Sequence, residues 1–289
     1  MSTLDGIASW RETWQVSHAA AAVVSTDGVV ESFGDLDREF PLASVTKLLT
    51  TYAVLVALEE EALGLDDPAG PPGSTVRHLF AHTSGYGFES DAPAVTRPGS
   101  KRIYSNRGIE ELAAHLQSVT GIEFGGYLHE AVLEPLALKA TQLRGSAAFA
   151  ASSTVNDLST FARELLSPTL VERPTLDNAV TVQFPGLPGI LPGLGRFDPL
   201  DWGLGFERNF GRPKHWAGTV ISRSAFGHFG ARGTFLWVDP QAGVACVCLT
   251  DHDFGDWAKQ AWPALTDAVL HAPPFPRDHA QNTRAELHF

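Results

Sequence analysis

The chain has 289 residues and a formal net charge of −12 at pH 7, with 44% hydrophobic and 19% charged residues. This composition is typical of a globular protein, and the acidic excess argues against nucleic acid or anionic lipid as a partner, because both repel an acidic surface. No run approaches the ~18 consecutive apolar residues that span a bilayer, and the N-terminus lacks the basic and apolar segments of a secretory signal. We therefore expect a cytoplasmic protein that does not bind membranes.

The predicted strands lie near the two ends of the chain, and most of the predicted helices lie between them. Strand patterns, the first of them a hairpin around an Asp-Gly turn, occur at residues 19–33, 219–222, 234–238 and 244–250. Helical patterns occur at residues 40–58, 76–81, 109–120, 124–133, 155–166 and 256–270. A Pro/Gly-rich stretch at residues 185–205 predicts a long excursion over the surface.

This order of elements predicts an α+β fold, an α/β sandwich. An antiparallel sheet built from both chain ends is expected to be flanked by helices and to carry an inserted, mostly helical subdomain. We predict a single domain over residues 1–272, with its α/β part at about 1–65 and 206–272 and its helical part at about 66–205. The remaining residues, 273–289, are predicted to form a polar C-terminal tail.

Several features argue against a metal or nucleotide enzyme. The chain has no H-E-x-x-H, no phosphate-binding loop, no G-x-G-x-x-G and no G-x-S-x-G. Asp251-His-Asp253 resembles a string of metal ligands, but no further ligand is suitably spaced, and a solvated turn explains it better. Cys246 and Cys248 fall on one face of an apolar strand, which predicts two reduced core residues. We expect no cofactor and no metal.

Lys47 is the first sign of chemistry, because it is the only charged residue in the apolar segment 40–58. A buried ammonium costs several kcal/mol unless it is paired or loses its proton. Ser44 lies three residues earlier, one turn back on the same helical face. Burial lowers the lysine pKa and lets it accept the serine proton, which activates the serine as a nucleophile. The alternative is that Ser44 caps the helix and Lys47 extends to water.

Tyr104-Ser-Asn106 is the only Tyr-x-Asn in the chain. A tyrosine near an ammonium loses its proton more readily, so Tyr104 can deprotonate Ser44 and later activate water. The Asn106 amide can hold both a substrate carbonyl and a lysine. The alternative is a turn that caps the following helix.

The third feature is the glycine-rich segment Gly227–Thr234, which leads into a predicted strand. Glycines on a strand allow a ligand to approach the backbone and add to the sheet edge. In that arrangement the N–H groups of Ser44 and Ala231 form an oxyanion hole. The alternative is a glycine-rich β-bulge without a chemical role.

Ser44-Val-Thr-Lys47, Tyr104-Ser-Asn106 and His228-Phe-Gly230 together resemble, in order and spacing, the class C β-lactamase and penicillin-binding protein superfamily. That group includes D-alanyl-D-alanine carboxypeptidases and lactamase-like esterases. The resemblance runs from about residue 19 to 270 and is carried further by Leu65–Pro68, Val76–Gly85, Pro98-Gly99, Ser153-Thr154 with Asp157, and Gly203–Gly205.

The resemblance implies a β-lactamase-like catalytic domain that forms an acyl-enzyme. Three residues would carry the covalent chemistry and its proton transfers, namely Ser44, Lys47 and Tyr104. Four others would bind the substrate or its oxyanion, namely Asn106, His228, Gly230 and Ala231.

The third motif departs from the family pattern. The lactamases of the family usually carry Lys-Thr-Gly there, whose cation and hydroxyl bind a substrate carboxylate, whereas this chain has His228 and Phe229. A histidine is mostly neutral at pH 7 and phenylalanine has no hydrogen-bonding side chain, so carboxylate affinity is expected to fall. Arg232 is a possible replacement for the missing cation. The chain is also short for the family.

These departures favour a small-molecule ester or amide as the partner, and above all the hydrolysis of small carboxylic esters. Three alternatives stay open. They are a β-lactamase or D-alanyl-D-alanine carboxypeptidase, an acyltransferase that uses the same acyl-enzyme, and a non-catalytic module that keeps only the fold.

Overall fold

A five-stranded antiparallel sheet forms the centre of the fold. The computed structural model describes Trp14 and residues 16–191 and 193–271, and the predicted tail at 273–289 lies outside the described residues. The strands of the sheet are β1 (Ala19–Ser25), β2 (Gly28–Phe33), β9 (Phe226–Gly230), β10 (Thr234–Asp239) and β11 (Val244–Thr250). Their spatial order is β2-β1-β11-β10-β9, so strands from both ends of the chain meet in the middle and β9 forms one edge.

The strand patterns of the sequence explain most of this sheet. The predicted Asp-Gly hairpin is confirmed, since β1 and β2 pair antiparallel with Ser25 opposite Gly28. Gly28 has a φ of +134°, a value that favours glycine. Cys246 and Cys248 are free and buried on β11, as predicted.

Both faces of the sheet are covered at its central strands, so successive side chains there are buried on alternate faces, whereas the edge strand β2 is partly exposed. On β10, Leu236 and Val238 belong to the hydrophobic core on one face, and Phe235 and Trp237 belong to the core on the other. A fully buried strand reads as a continuous apolar run rather than as an alternation, which is how these strands look in the sequence.

Seven α-helices surround the sheet in the described part of the chain. They are α1 (Thr46–Glu59), α2 (Val76–Phe80), α3 (Asn106–Thr120), α4 (Phe124–Leu128), α5 (Val155–Leu166), α6 (Arg173–Ala179) and α7 (Asp256–His271). A π-helical turn, His129–Leu133, continues α4. Residues of α1 and α5 pack into the core on one face, and residues of α7 pack into the core on the other. The predicted fold class, an antiparallel sheet flanked by helices with a mostly helical insertion, is confirmed. None of these helices combines the length and apolar character that crossing a bilayer requires.

Two three-stranded sheets complete the architecture. One contains β3 (Phe40–Pro41), β5 (Gln142–Leu143) and β6 (Ala151–Ser153), and the other contains β4 (Arg102–Ile103), β7 (Gly189–Leu191) and β8 (Gly195–Phe197). The parallel pair β4–β7 of the second sheet joins the excursion at 185–205 to the segment just before α3.

Strand β9 and the short strands of the two small sheets were not predicted, and three further elements differ from the sequence-based expectation. The predicted helix at 40–58 begins later, because Phe40 and Pro41 pair with β6 and Ala43–Val45 form a 3-10 turn. The predicted strand at 219–222 was wrong: this segment is turn and bend, and the Ser222 N–H and hydroxyl donate to the Asp239 carboxylate instead of to a strand. Helix α6 was not predicted, although a proline in its first turn is a helix-start signal.

Candidate active site

Ser44 lies in the 3-10 turn just before α1, and Lys47 is the second residue of that helix. Ala43, directly before Ser44, has a φ of +47°, an unfavourable conformation for a residue with a Cβ and a form of strain found at functional sites. The capping positions of the turn and of α1 are Leu42 and Val45, so Ser44 caps neither. Lys47 is fully buried and does not extend to water. The alternative in which Ser44 caps the helix and Lys47 extends to water is therefore not what the structure shows.

The Lys47 ammonium group is surrounded by neutral acceptors. Its Nζ donates to Asn106 Oδ1 at 2.7 Å, to the Ala148 carbonyl at 2.9 Å and to Ser44 Oγ at 3.3 Å. Burial lowers the pKa of Lys47 to about 7, against an opposing effect of the Glu110 carboxylate. A neutral amine has two N–H bonds and one lone pair. Because the two shorter contacts keep the two hydrogens, the lone pair of neutral Lys47 points at the Ser44 hydroxyl.

Tyr104 and Asn106 are held by the start of α3. Ser105 is the N-cap of that helix, where its Oγ accepts from the Gly108 N–H at 3.0 Å. Its neighbours on either side both reach Lys47: Asn106 Oδ1 accepts the hydrogen bond from Nζ, and Nζ lies 4.8 Å from the centre of the Tyr104 ring. The motif is thus a helix cap and a part of the site at once.

Burial raises the pKa of Tyr104 well above its ordinary value, and the interaction of its hydroxyl with the Ser44 side chain opposes this only in part. We expected the lysine to favour the phenolate, but burial has the larger effect. At neutral pH Tyr104 is therefore a phenol, which can give a proton to a leaving oxygen but is a poor base toward Ser44.

Two buried histidines flank the Tyr104 ring. The centroids of His82 and His228 lie 4.7 and 5.5 Å from that of Tyr104. The Ser105 N–H donates to His82 Nδ1 at 3.1 Å, so Nδ1 of His82 is unprotonated. His228 is the reverse: Nδ1 is 2.6 Å from the Phe229 carbonyl, which can only accept, so Nδ1 carries the hydrogen.

Burial, together with the charge of Lys47, lowers the pKa of His228 to about 3, so its ring is neutral at pH 7. With the hydrogen on Nδ1, the Nε2 of the neutral ring is an acceptor. Its Nε2 is buried and has no partner among the described residues. Where the lactamases of the family usually place a lysine, this site places an uncharged group.

The glycine-rich segment is a regular edge strand rather than a bulge. β9 pairs with β10 without a register shift, and Gly230 lies opposite Thr234. A Cβ on Gly230 would lie 2.4 Å from the Leu42 carbonyl oxygen, so glycine is needed for β9 to pack against the segment that carries Ser44. We expected the glycines to make room for a ligand, and at Gly230 the neighbour that uses this room is the Leu42 carbonyl of the same chain.

Ser44 and Ala231, the residue after β9, both line a cavity of about 180 Å³. Among the described residues, neither the Ser44 nor the Ala231 N–H donates to a protein acceptor. Two free amides beside a serine hydroxyl are able to bind a developing oxyanion. The cavity is lined by Ser44, Phe88, Tyr104, Leu191, Gly193, His228, Phe229, Ala231 and Phe254.

The structure brings together all of the site residues expected from the sequence except one. Arg232 does not line the cavity; it is 61% exposed and pairs with Asp253 at 3.0 Å. Several cavity residues were not identified from the sequence, namely Phe88, Leu191, Gly193 and Phe254. Phe88, Gly193 and Phe254 lie in loops and Leu191 ends β7, and no local pattern marks them.

Comparison with known proteins gives the family of the chain. A family model described as Beta-lactamase matches residues 11–270. The chain belongs to the β-lactamase family. Members of this family with the serine β-lactamase fold are serine hydrolases. A crystal structure described as a β-lactamase (Mb2281c) from Mycobacterium bovis is 52% identical, covers 93% of this chain and 98% of that one, and has a TM-score of 0.90.

Proteins that resemble this chain more distantly differ in their described activities. D-alanyl-D-alanine-carboxypeptidase/endopeptidase AmpH of Escherichia coli (strain K12) is 27% identical over 169 residues, which cover 42% of this chain. The chain spans 44% of the length of that curated relative. EstCE1, described as a hydrolase with promiscuous acyltransferase activity, is 16% identical with a TM-score of 0.73, over 92% of this chain and 97% of that one. This last likeness is one of fold.

Proposed function

We propose that this β-lactamase-family protein hydrolyses small carboxylic esters through an acyl-enzyme on Ser44. The observation that carries the proposal is the neutrality of His228, which occupies the position of the substrate-binding lysine beside an apolar Phe229. A carboxylate next to the reacting carbonyl would find no cation in this cavity, and leaving it unpaired there is costly. A neutral ester has no such requirement.

Acylation begins with proton transfer from the Ser44 hydroxyl to the neutral Lys47 amine. Ser44 Oγ bonds to the ester carbonyl carbon, and the carbonyl oxygen becomes an oxyanion held by the N–H groups of Ser44 and Ala231. Collapse of this intermediate breaks the bond to the alcohol oxygen, which takes a proton from Tyr104. The Lys47 ammonium returns a proton to Tyr104, so both groups end as they began.

Deacylation repeats these steps with water in place of the alcohol. Lys47 accepts a proton from the water molecule, whose oxygen bonds to the acyl carbon. The Ser44 oxygen then leaves and takes the proton back from Lys47. An alcohol acceptor in place of water would turn the same cycle into acyl transfer.

The second candidate is β-lactamase or D-alanyl-D-alanine carboxypeptidase activity. The descriptions of the relatives from Mycobacterium bovis and Escherichia coli favour it. The substrates of these enzymes carry a carboxylate, and in this site Arg232 is engaged with Asp253 outside the cavity. We therefore rank it second.

The test has two stages. Wild type, Ser44→Ala and the control Ser167→Ala, an exposed serine at the end of α5, are incubated with a fluorophosphonate and with a fluorescent penicillin and weighed intact. The proposal requires one fluorophosphonate adduct on wild type and on the control and none on Ser44→Ala. An unmodified wild type, or an adduct that persists in Ser44→Ala, would overturn the acyl-enzyme.

Turnover then separates the two candidates. We expect kcat/KM for p-nitrophenyl butyrate to exceed that for nitrocefin by at least about 100-fold, because only the second substrate brings a carboxylate to the uncharged wall. Rapid nitrocefin hydrolysis would reverse the ranking. Added short-chain alcohols that convert the ester to a new ester faster than to acid would favour the acyltransferase.

A further inference from the structure

A larger cavity adjoins the cavity that contains Ser44. It has a volume of about 480 Å³, which is within the range of small-molecule sites, and it shares Phe88 and Tyr104 with the smaller cavity. We call it the side groove and define it by Phe88, Val95, Lys101, Ile103, Ile190 and Arg196. Because Phe88 and Tyr104 line both spaces, the side groove lies next to the place where a substrate would react with Ser44.

Paired strands and a buried hydrogen-bond network hold the floor of the side groove in place. Residues 102–103 and 189–190 belong to the paired strands β4 and β7. The buried guanidinium of Arg102 ties these strands to the segment behind them, donating to the carbonyls of Leu200 at 2.7 Å, Gln183 at 2.6 Å and Phe184 at 3.2 Å, and also to that of Ala81. Such a network fixes the groove before any ligand binds, which lowers the ordering cost of binding.

The walls of the side groove are apolar and open to solvent. Phe88, Val95 and Ile190 are 40%, 61% and 63% exposed, and all three are among the most exposed large hydrophobic residues of the described chain. Three such side chains around one depression form an exposed apolar patch of the kind that marks ligand sites. Burying them against an alkyl arm would be favourable.

The charge of the side groove is opposite to that of the whole protein. Its charged lining residues are Lys101, Arg102 and Arg196, and no acidic residue lines it among the described residues. Lys101 and Arg196 are exposed and make no ion pair within the described part of the chain. In a chain with a net charge of −12, two unpaired cations beside an apolar depression favour an anionic partner.

We propose that the side groove binds an apolar arm of the ester that ends in an anionic group, with the arm on Phe88, Val95 and Ile190 and the anion at Lys101 and Arg196. This inference rests on the proposed ester hydrolysis at Ser44 and names its substrate class: esters that are neutral at the reacting carbonyl and negatively charged at a distance. The arm belongs to the acyl group or to the alcohol, and the experiment separates the two.

The experiment compares esters that differ only in one arm. The acyl series consists of p-nitrophenyl acetate, octanoate, hydrogen suberate and 8-aminooctanoate. The alcohol series consists of the acetate esters of ethanol, octanol, 8-hydroxyoctanoate and 8-aminooctanol. Turnover of the alcohol series is measured by the release of acid. In the series whose arm enters the side groove, we expect kcat/KM to rise by about fourfold for each methylene group that the groove buries. In the same series, kcat/KM for the carboxylate-ended arm should exceed that for the ammonium-ended arm at least fivefold. Equal values for the two charged ends in both series would overturn the proposal.

Variants test the assignment to these residues. In Lys101→Ala/Arg196→Ala we expect the preference for the carboxylate-ended arm to fall to within about twofold. The control Lys139→Ala/Arg144→Ala makes the same change of net charge at two exposed cations outside the groove, and it should keep the full preference. Ile190→Asp should reduce octanoate or octyl turnover, whereas Ile122→Asp, at another exposed isoleucine, should not. A control pair that changes as much as the groove pair would also overturn the proposal.

Failure of the groove and failure of the ester hydrolysis look different. If fluorophosphonate does not modify Ser44, the proposed function fails and no ester is turned over. If Ser44 is modified and acetate esters are cleaved without any dependence on the arm, ester hydrolysis stands and the side groove has no part in it.

Discussion

The pH dependence of Ser44 reactivity tests the role of Lys47 directly. Because burial lowers the pKa of Lys47 to about 7, about half of the lysine is neutral at pH 7, whereas a lysine in water is almost entirely charged. Only neutral Lys47 can accept the Ser44 proton. The logarithm of the rate of Ser44 phosphonylation should therefore rise by one for each pH unit below about 7 and level off above it.

Asn106→Asp should move this profile to higher pH. The substitution keeps the side-chain shape and replaces a neutral acceptor 2.7 Å from Lys47 Nζ by a carboxylate. At an effective dielectric constant of about 20, a full charge at that distance stabilises the ammonium by about 6 kcal/mol, on the order of four pKa units. Even a quarter of that effect raises the pKa of Lys47 by about one unit and slows phosphonylation tenfold at pH 6.

The assay is the second-order rate of fluorophosphonate labelling between pH 5.5 and 10, followed by intact mass. Asn178→Asp, an exposed asparagine in α6, introduces the same charge far from the site and should leave the profile near pH 7. Glu110→Gln removes a carboxylate that raises the pKa of Lys47, so its profile should move to lower pH. Unmoved profiles in both Asn106→Asp and Glu110→Gln would refute Lys47 as the base, and so would a wild-type profile that rises only above pH 9.

Three further variants have distinct expected outcomes. Tyr104→Phe removes only the hydroxyl, so we expect kcat for p-nitrophenyl butyrate to fall 10²- to 10⁴-fold with an unchanged circular dichroism spectrum; a loss below threefold would contradict its role as proton donor. His228→Lys restores a cation beside the nucleophile and should raise the ratio of nitrocefin to butyrate turnover at least fivefold, as steady-state kinetics will show. Glu164→Gln disrupts a buried carboxylate that accepts from Tyr52 Oη at 2.6 Å and from the Thr169 and Leu170 N–H groups, each at 2.7 Å. It should cost about 2–4 kcal/mol in urea unfolding while ester turnover per folded molecule stays the same.

The chemistry of the nucleophile could be predicted from the sequence because it depends on short spacings. Ser44 and Lys47 are one turn apart, and a charge in an apolar helix is visible without a structure. Tyr104 and Asn106 are two residues apart at the first turn of a helix, and their joint contact with Lys47 follows once that turn forms.

The walls of the site could not be predicted, because they depend on long-range packing. Phe88 and Phe254 lie in loops and Leu191 ends β7, and all three are far from Ser44 in sequence. The ionisation of Tyr104 was misjudged for a similar reason, since the sequence shows the nearby cation but not the depth of burial. Arg232 illustrates the same limit: its partner, Asp253, lies beyond the next two strands.

The two cysteines have a practical consequence for studying the side groove. Cys246 and Cys248 are the only thiols of the chain, both are buried in β11, and burial raises their pKa values, that of Cys248 to about 12. Since maleimides react with the thiolate, neither native thiol competes for such a reagent at pH 7. Ile190→Cys, at an exposed groove position, therefore accepts a single fluorophore in the otherwise native chain. Its emission would report the arrival of an alkyl arm without a radioactive or chromogenic substrate.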